Sequence, residues 1–127
     1  MRKTAIFTIA LVVSATSATG GLKLVSVNDE IAIGRVELLY PFPEERITEL
    51  LAAYPGVTSV TWVQEEPRNM GAWEFIRLQL ERILPDGVAL DYVGRARRAS
   101  TSEGYPQAHQ AEQERLLAAA LNPEQEK

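Results

Sequence analysis

The chain contains no cysteine, which excludes disulfides, thiolate nucleophiles and cysteine-ligated zinc or iron–sulfur centres. Its single histidine, His109, cannot build a multi-histidine metal site or a two-histidine proton relay. Neither a P-loop nor a glycine-rich dinucleotide fingerprint occurs. No apolar run reaches the roughly 20 residues that a membrane-spanning helix needs. An excess of basic residues is also missing. Thirteen lysines and arginines against 17 aspartates and glutamates leave a formal net charge of −4. That balance argues against a general nucleic-acid binder, though not against one local basic pocket. What remains is 127 residues, 46% hydrophobic and 24% charged, the composition of one soluble domain with a modest core.

The amino terminus supports three readings. Arg2 and Lys3 precede the apolar run Ala5 to Val13 and then the small residues Ser14 to Ala18, the layout of a secretory signal. Ile6, Phe7, Thr8, Ile9, Val12 and Val13 are equally good strand formers, so a buried β-strand is the rival. Local sequence favours the signal over the strand, and a spurious start is a third reading.

Further along, Leu22 to Val27 and Ile31 to Leu39 flank the turn-like pair Asn28–Asp29. The second run reads as a largely buried strand, with Arg35 and Glu37 as exceptions. Pro41 and Pro43 stop a sheet ladder, because proline has no amide hydrogen to donate. Pro43 with Glu44 and Glu45 then reads as a helix start. Ile47, Leu50, Leu51 and Tyr54 recur at helical spacing, and Pro55–Gly56 ends that helix. Val57 to Gln64 is the next strand, with Val60, Trp62 and Val63 as core candidates. A polar loop leads into a helix starting near Asn69, a candidate cap, and ending at Leu84. Its apolar stripe is Trp73, Ile76, Leu80, Ile83 and Leu84. Pro85-Asp86-Gly87 is a turn and Val88 to Val93 a strand. A last helix spans about Gln107 to Leu121, with Ala108, Ala111, Leu116, Ala119 and Ala120 available to pack. The alternation predicts an α/β domain with a mainly parallel sheet.

Ligand sites in open α/β sheets lie beyond the carboxyl ends of the strands, which singles out three loops. Tyr40-Pro41-Phe42-Pro43 is either a rigid binding edge with Phe42 exposed or, as the simpler reading has it, a strand-to-helix elbow. Glu65 and Glu66 follow Gln64 at a strand end and precede Arg68 and Asn69. Neighbours in an extended chain point to opposite faces, so a glycosidase-like carboxylate pair is not expected. Anchoring the loop or an interface is the expected role. Gly94-Arg95-Ala96-Arg97-Arg98, backed by Ser100, Thr101 and Ser102, offers guanidinium groups and hydroxyls for an anion, against the alternative of a solvated loop. No serine or cysteine is placed to use His109 as a base, so it reads as structural.

Taken together, four blocks carry a family resemblance. They are Ile31 to Glu45, the run Trp62-Val63-Gln64-Glu65-Glu66-Pro67-Arg68-Asn69-Met70-Gly71-Ala72-Trp73, Asp91 to Arg95, and His109 to Gln113. In order and content they resemble the C-terminal domain of the 2-oxoglutarate dehydrogenase decarboxylating component. The resemblance implies a three-layer, transketolase C-terminal-like α/β domain that helps build a homodimer or packs on the dehydrogenase's other domains. It implies a cytoplasmic parent enzyme of the tricarboxylic acid cycle. That enzyme decarboxylates 2-oxoglutarate on thiamine diphosphate with magnesium and passes the succinyl group to a lipoyl carrier. The cofactor sits between other domains of such enzymes, so this chain is expected to bind no cofactor or metal, to hold no catalytic residue and to be inactive alone. Phe42, Gln64, Glu65, Glu66, Arg68 and Asn69 are then loop or interface residues.

Some actinobacterial relatives use this domain in acetyl-CoA regulation. The alternative function is accordingly an anion or acetyl-CoA (acyl-CoA effector) module using Arg95, Arg97 and Arg98. Residues 1–30 depart from the family pattern, since its Ser-Gly-Lys turn and following amphipathic helix are not recognisable. The resulting division is an atypical segment 1–30, a family-like domain 31–121 and a charged tail 122–127. A fragment of a longer gene product and an exported protein that reuses the domain both stay open.

Overall fold

A computed structural model describes residues 8–13, 21–27 and 30–122. Five strands, β1 (Thr8–Val13), β2 (Leu22–Val27), β3 (Ile31–Val36), β4 (Ser59–Pro67) and β5 (Ala89–Arg95), form one sheet in the order β2-β3-β1-β4-β5. β1 pairs in parallel with β3 and β4, and β4 with β5; β2 runs antiparallel to β3. The helices are α1 (Glu44–Ala53), α2 (Trp73–Ile83) and α3 (Pro106–Leu121). The expected α/β class with a mainly parallel sheet is what the chain forms. β1 holds the centre of that sheet. The small residues Ser14 to Ala18 of the signal-like layout, the Asn28–Asp29 turn and the tail beyond Asn122 lie outside the described residues.

Successive strand residues face opposite sides, and this splits the core in two. Ile9, Leu11, Val60 and Trp62 join Ile47, Leu50 and Leu51 of α1 and Trp73, Ile76 and Leu80 of α2 in one cluster. Right-handed connections place α1 and α2 on the same face, because β3→β4 and β4→β5 move across the sheet in the same direction. Burying each large side chain of α1 contributes about 1.5–3 kcal/mol. The other face carries Val63 and Val93, covered by Leu116, Ala119 and Ala120 of α3. Ala111, expected to pack, is exposed on α3.

Several element boundaries differ from expectation. β3 stops at Val36, not Leu39, and Leu38 is exposed. Arg35 and Glu37, the charged exceptions there, form an ion pair with each other. Pro43 caps α1 without entering it. Glu44 and Glu45 occupy its first turn, where negative charge suits the helix dipole. β4 runs on to Pro67, and α2 begins at Trp73 with Ala72 at the cap position and no side-chain cap bond. Asn69 does not cap α2, because its side chain is committed to Arg98.

Candidate functional site

β4 is where the chain breaks its own regularity. Its register with β5 holds through Val63↔Val93 and resumes at Pro67↔Arg95. The strand is therefore bulged across Gln64 to Glu66. A bulge re-aims side chains: Gln64 is buried, 3% exposed, while Glu65 and Glu66 are exposed.

Gln64 organises this end of the sheet. Its Oε1 accepts from the indole Nε1 of fully buried Trp62 at 3.0 Å. Its Nε2 faces the carbonyls of Met70 (2.9 Å), Pro67 (3.2 Å) and Glu66 (3.3 Å) and the Tyr92 hydroxyl (3.4 Å). An indole nitrogen only donates, so the amide orientation is set by chemistry. The Tyr92 hydroxyl donates in turn to the Glu66 carbonyl at 3.2 Å. Burial pushes the Tyr92 hydroxyl above its ordinary pKa, opposed by the Gln64 bond and the positive charge of Arg68. Two glycines make room for this arrangement. A Cβ on Gly94 would lie 2.1 Å from the Tyr92 hydroxyl oxygen, and Gly71 takes a left-handed φ of 64° at the loop end.

A second knot lies where β5 ends. Arg95 is 5% exposed. It donates to the Thr101 carbonyl at 2.9 Å, contacts His109 Nδ1 at 3.1 Å and pairs with Glu103 at 3.4 Å. Glu103 also pairs with Arg98, whose pKa is raised first by that hydrogen bond. Arg98 approaches Glu112 at 3.9 Å, and Arg115 holds Glu112 at 2.8 Å. The Arg115 hydrogen bond leads the effects that lower the Glu112 pKa. Alternating charges thus tie the loop after β5 to the start of α3. Arg97 points elsewhere, pairing with Glu74 of α2 at 3.4 Å.

These contacts correct the anion-site expectation. Arg95, Arg97 and Arg98 do not converge. Arg95 and Arg98 share the Glu103 carboxylate, and Arg97 pairs instead with Glu74. His109 is structural in the sense expected, as a partner of Arg95. Glu65 accepts from Gln113 of α3 at 3.0 Å, an anchor between strand and helix. Phe42 is half-buried and packs against the α1–α2 core, so the elbow reading describes it better than an exposed edge. Asn69 clamps the backbone of Arg98 from both sides, donating to its carbonyl and accepting from its amide, each at 2.9 Å. Sequence reasoning missed Gln64 as a centre, Tyr92 and Glu103. The signal available was Trp62 two residues before Gln64 on the same strand face, since a buried indole N–H needs an acceptor.

Glu65 and Glu66 border two hollows. One, of about 570 Å³, runs between the sheet and α3, with Ala10, Val12, Ile33 and Leu117 on its walls. The other, of about 550 Å³, is open and includes Arg95, Thr101, Glu103 and His109. Among the described residues no three His, Asp or Glu side chains are grouped to hold a metal ion.

The family described as "2-oxoglutarate dehydrogenase C-terminal" matches residues 23–121. The chain belongs to this family. Among curated relatives, the 2-oxoglutarate dehydrogenase E1 component of Geobacillus kaustophilus (strain HTA426) is 50% identical over 93 residues, 73% of this chain and 10% of that protein. That of Bacillus subtilis (strain 168) is 46% identical over 99 residues, 78% of this chain and 10% of the relative. That of Shouchella clausii (strain KSM-K16) is 48% identical over 101 residues, 76% and 11%. The chain therefore spans about a tenth of the length of the E1 components it matches.

Seen on the fold, three of the four family blocks meet at one place. Gln64 reaches Tyr92, Glu65 reaches Gln113, and Arg95 reaches His109. The elbow block stays with the α1–α2 core. The family match opens within β2, while β1, at the centre of the sheet, lies ahead of it.

Proposed function

We propose that this chain is a non-catalytic structural and interaction domain at the C-terminal end of a 2-oxoglutarate dehydrogenase E1 component. The observation that carries the reading is the mutual engagement of the family's own residues at the strand ends. Gln64 is spent on Tyr92, Glu65 on Gln113 and Arg95 on His109, so these side chains hold the domain's own elements together. The parent reaction, on this reading, is decarboxylation of 2-oxoglutarate with transfer of a succinyl group to a lipoyl carrier in the tricarboxylic acid cycle. Thiamine diphosphate and magnesium supply the chemistry there. On this reading the cofactor is held by other domains of the dehydrogenase and not by this one.

The domain's partners are a second copy of itself or the other domains of the dehydrogenase, and its compartment is the cytoplasm. No helix of the described residues is long and apolar enough to cross a membrane. Residues 31–121 form the domain proper, residues 1–30 an atypical opening segment that contributes β1 and β2, and residues 122–127 a charged tail. Phe42, Arg68 and Asn69 on loops, and Glu65 and Glu66 on the bulge of β4, are the residues through which the domain works, and Gln64 holds the β4 end from within.

The test is direct. Purified chain is assayed for CO2 release from 2-oxoglutarate with added thiamine diphosphate and magnesium. Turnover above the protein-free control overturns the non-catalytic reading. Light scattering across a concentration series tests self-association, and a monomer throughout removes the homodimer and leaves the other domains as partner.

A further inference from the structure

Among the described residues every arginine but one is paired with a carboxylate. The exception is Arg68, in a chain where acidic residues outnumber basic ones. Arg68 is exposed but not loose. Its guanidinium carbon lies 5.0 Å from the centre of the Tyr92 ring and 5.6 Å from that of Trp73. The two rings are themselves packed at 4.9 Å. A guanidinium resting on aromatic faces keeps its edge N–H groups available for a planar acceptor.

The backbone around it is fixed from two directions. The Arg68 amide donates to the Arg95 carbonyl at 2.9 Å, and Asn69 clamps Arg98. Because Arg68 adjoins Asn69 and Arg97 adjoins Arg98, that clamp holds the two arginine-bearing loops side by side. Arg68, Arg97 and Arg77 then line one hollow of about 410 Å³, together with Glu74 and Glu81. Three arginines against two glutamates leave one positive charge in excess. Arg97 is held only by a long, exposed pair with Glu74, at 3.4 Å with side chains 65% and 56% exposed. Such a pair yields readily to a better acceptor.

We propose that this hollow binds a small oxyanion, a phosphate or carboxylate group, with Arg68 as its anchor and Arg97 as its second donor. The site is distinct from the Arg95–Arg98–Glu103 knot, where both guanidinium groups are already held by the Glu103 carboxylate. It is also independent of the dehydrogenase reading: its failure leaves the family and the structural role untouched.

The experiment is a titration of the full chain, followed through the arginine side-chain Nε–H signals in NMR spectra. Inorganic phosphate and succinate serve as separate probes at constant ionic strength, with sodium chloride as control. The expected result is a saturable shift of the Arg68 and Arg97 signals with at least one probe and none with chloride. The tighter probe identifies the source as phosphate or carboxylate. Arg68→Ala should weaken binding at least about tenfold, the loss of one charge-assisted contact. Arg46→Ala, which removes the same charge from α1, should leave affinity unchanged. Arg97→Ala provides a second variant at a side chain too exposed to endanger folding, and it should weaken binding severalfold. Shifts that chloride reproduces, or full affinity in either Arg68→Ala or Arg97→Ala, would overturn the proposal.

Discussion

Replacing Gln64 with leucine tests the centre of the site. The volume is nearly conserved, but the amide is lost. The Trp62 Nε1–H, now 3.0 Å from Gln64 Oε1, would be buried with no acceptor. The Met70 and Pro67 carbonyls, at 2.9 and 3.2 Å from Nε2, would lose their donor. Each buried polar group left unmatched costs about 1–3 kcal/mol. The indole and one carbonyl together give about 2–6 kcal/mol, with the second carbonyl relaxing toward water. A domain of this size is stable by about 5–15 kcal/mol, so the loss is a large fraction of the total. In a thermal melt followed by circular dichroism, Gln64→Leu should lower the Tm by about 10 °C or more. Gln64→Glu sharpens the test. The protonated acid can still accept from Trp62 and donate to one carbonyl, whereas the ionised form faces carbonyl oxygens. The folded pKa is thus raised above the ordinary glutamate value of about 4.3. Its stability is then fullest below that value and is lost as pH rises through the folded pKa. A Gln64→Leu variant within about 0.5 kcal/mol of the parent, or a Gln64→Glu variant with no added pH dependence, would refute the reasoning.

Other consequences can be measured in the same way. Arg95→Ala leaves Glu103 buried with only Arg98 as partner and should cost about 3 kcal/mol in urea unfolding, whereas Arg97→Ala should stay within about 0.5 kcal/mol; equal losses would mean that burial of Arg95 is not what matters. Glu112 has a lowered folded pKa, so its contribution is complete above the ordinary value of 4.5 and is lost as pH falls through the lowered one. Arg115→Gln should flatten that acid limb of the stability curve. Gly94→Ala places a methyl group against the Tyr92 hydroxyl. It should cost about 1–3 kcal/mol and alter the near-ultraviolet circular dichroism of the Trp73–Tyr92 pair. Leu80→Ala, at a fully buried position of α2, should cost about 2–5 kcal/mol, and a smaller loss would mean that the α2 seam collapses around the gap.

Local chemistry made much of the architecture readable. Alternating apolar runs, Pro41 and Pro43 after β3, and Pro55–Gly56 after α1 are short-range signals, and each stands close to its expected position. The helical stripe Trp73–Ile76–Leu80 was legible for the same reason, since its period is a property of the helix alone. The four family blocks were legible because they are contiguous strings, and they sufficed to name the fold class and the relatives. The start of α2 was misjudged at Asn69 because a good capping residue says where a helix can begin, not whether a distant backbone will claim its side chain. Arg98, 29 positions away, claimed it.

The arginines show most clearly where local reading ends. By sequence, Arg95, Arg97 and Arg98 form one basic cluster, and Arg68 is a lone charge in an acidic loop. Folded, the cluster is divided: Arg95 and Arg98 meet Glu103, Arg97 meets Glu74, and Arg68 is left over on the rings of Trp73 and Tyr92. The sequence by itself determined which segments beyond residue 20 become strands and helices, the family, and the absence of cysteine chemistry. These follow from side-chain type and short-range spacing. Only the tertiary structure decided that β1 occupies the centre of the sheet, that the β4 bulge turns Gln64 inward, and which of the described arginines goes without a carboxylate. Those outcomes depend on pairings between residues tens of positions apart, and electrostatic partnership is set by distance in space.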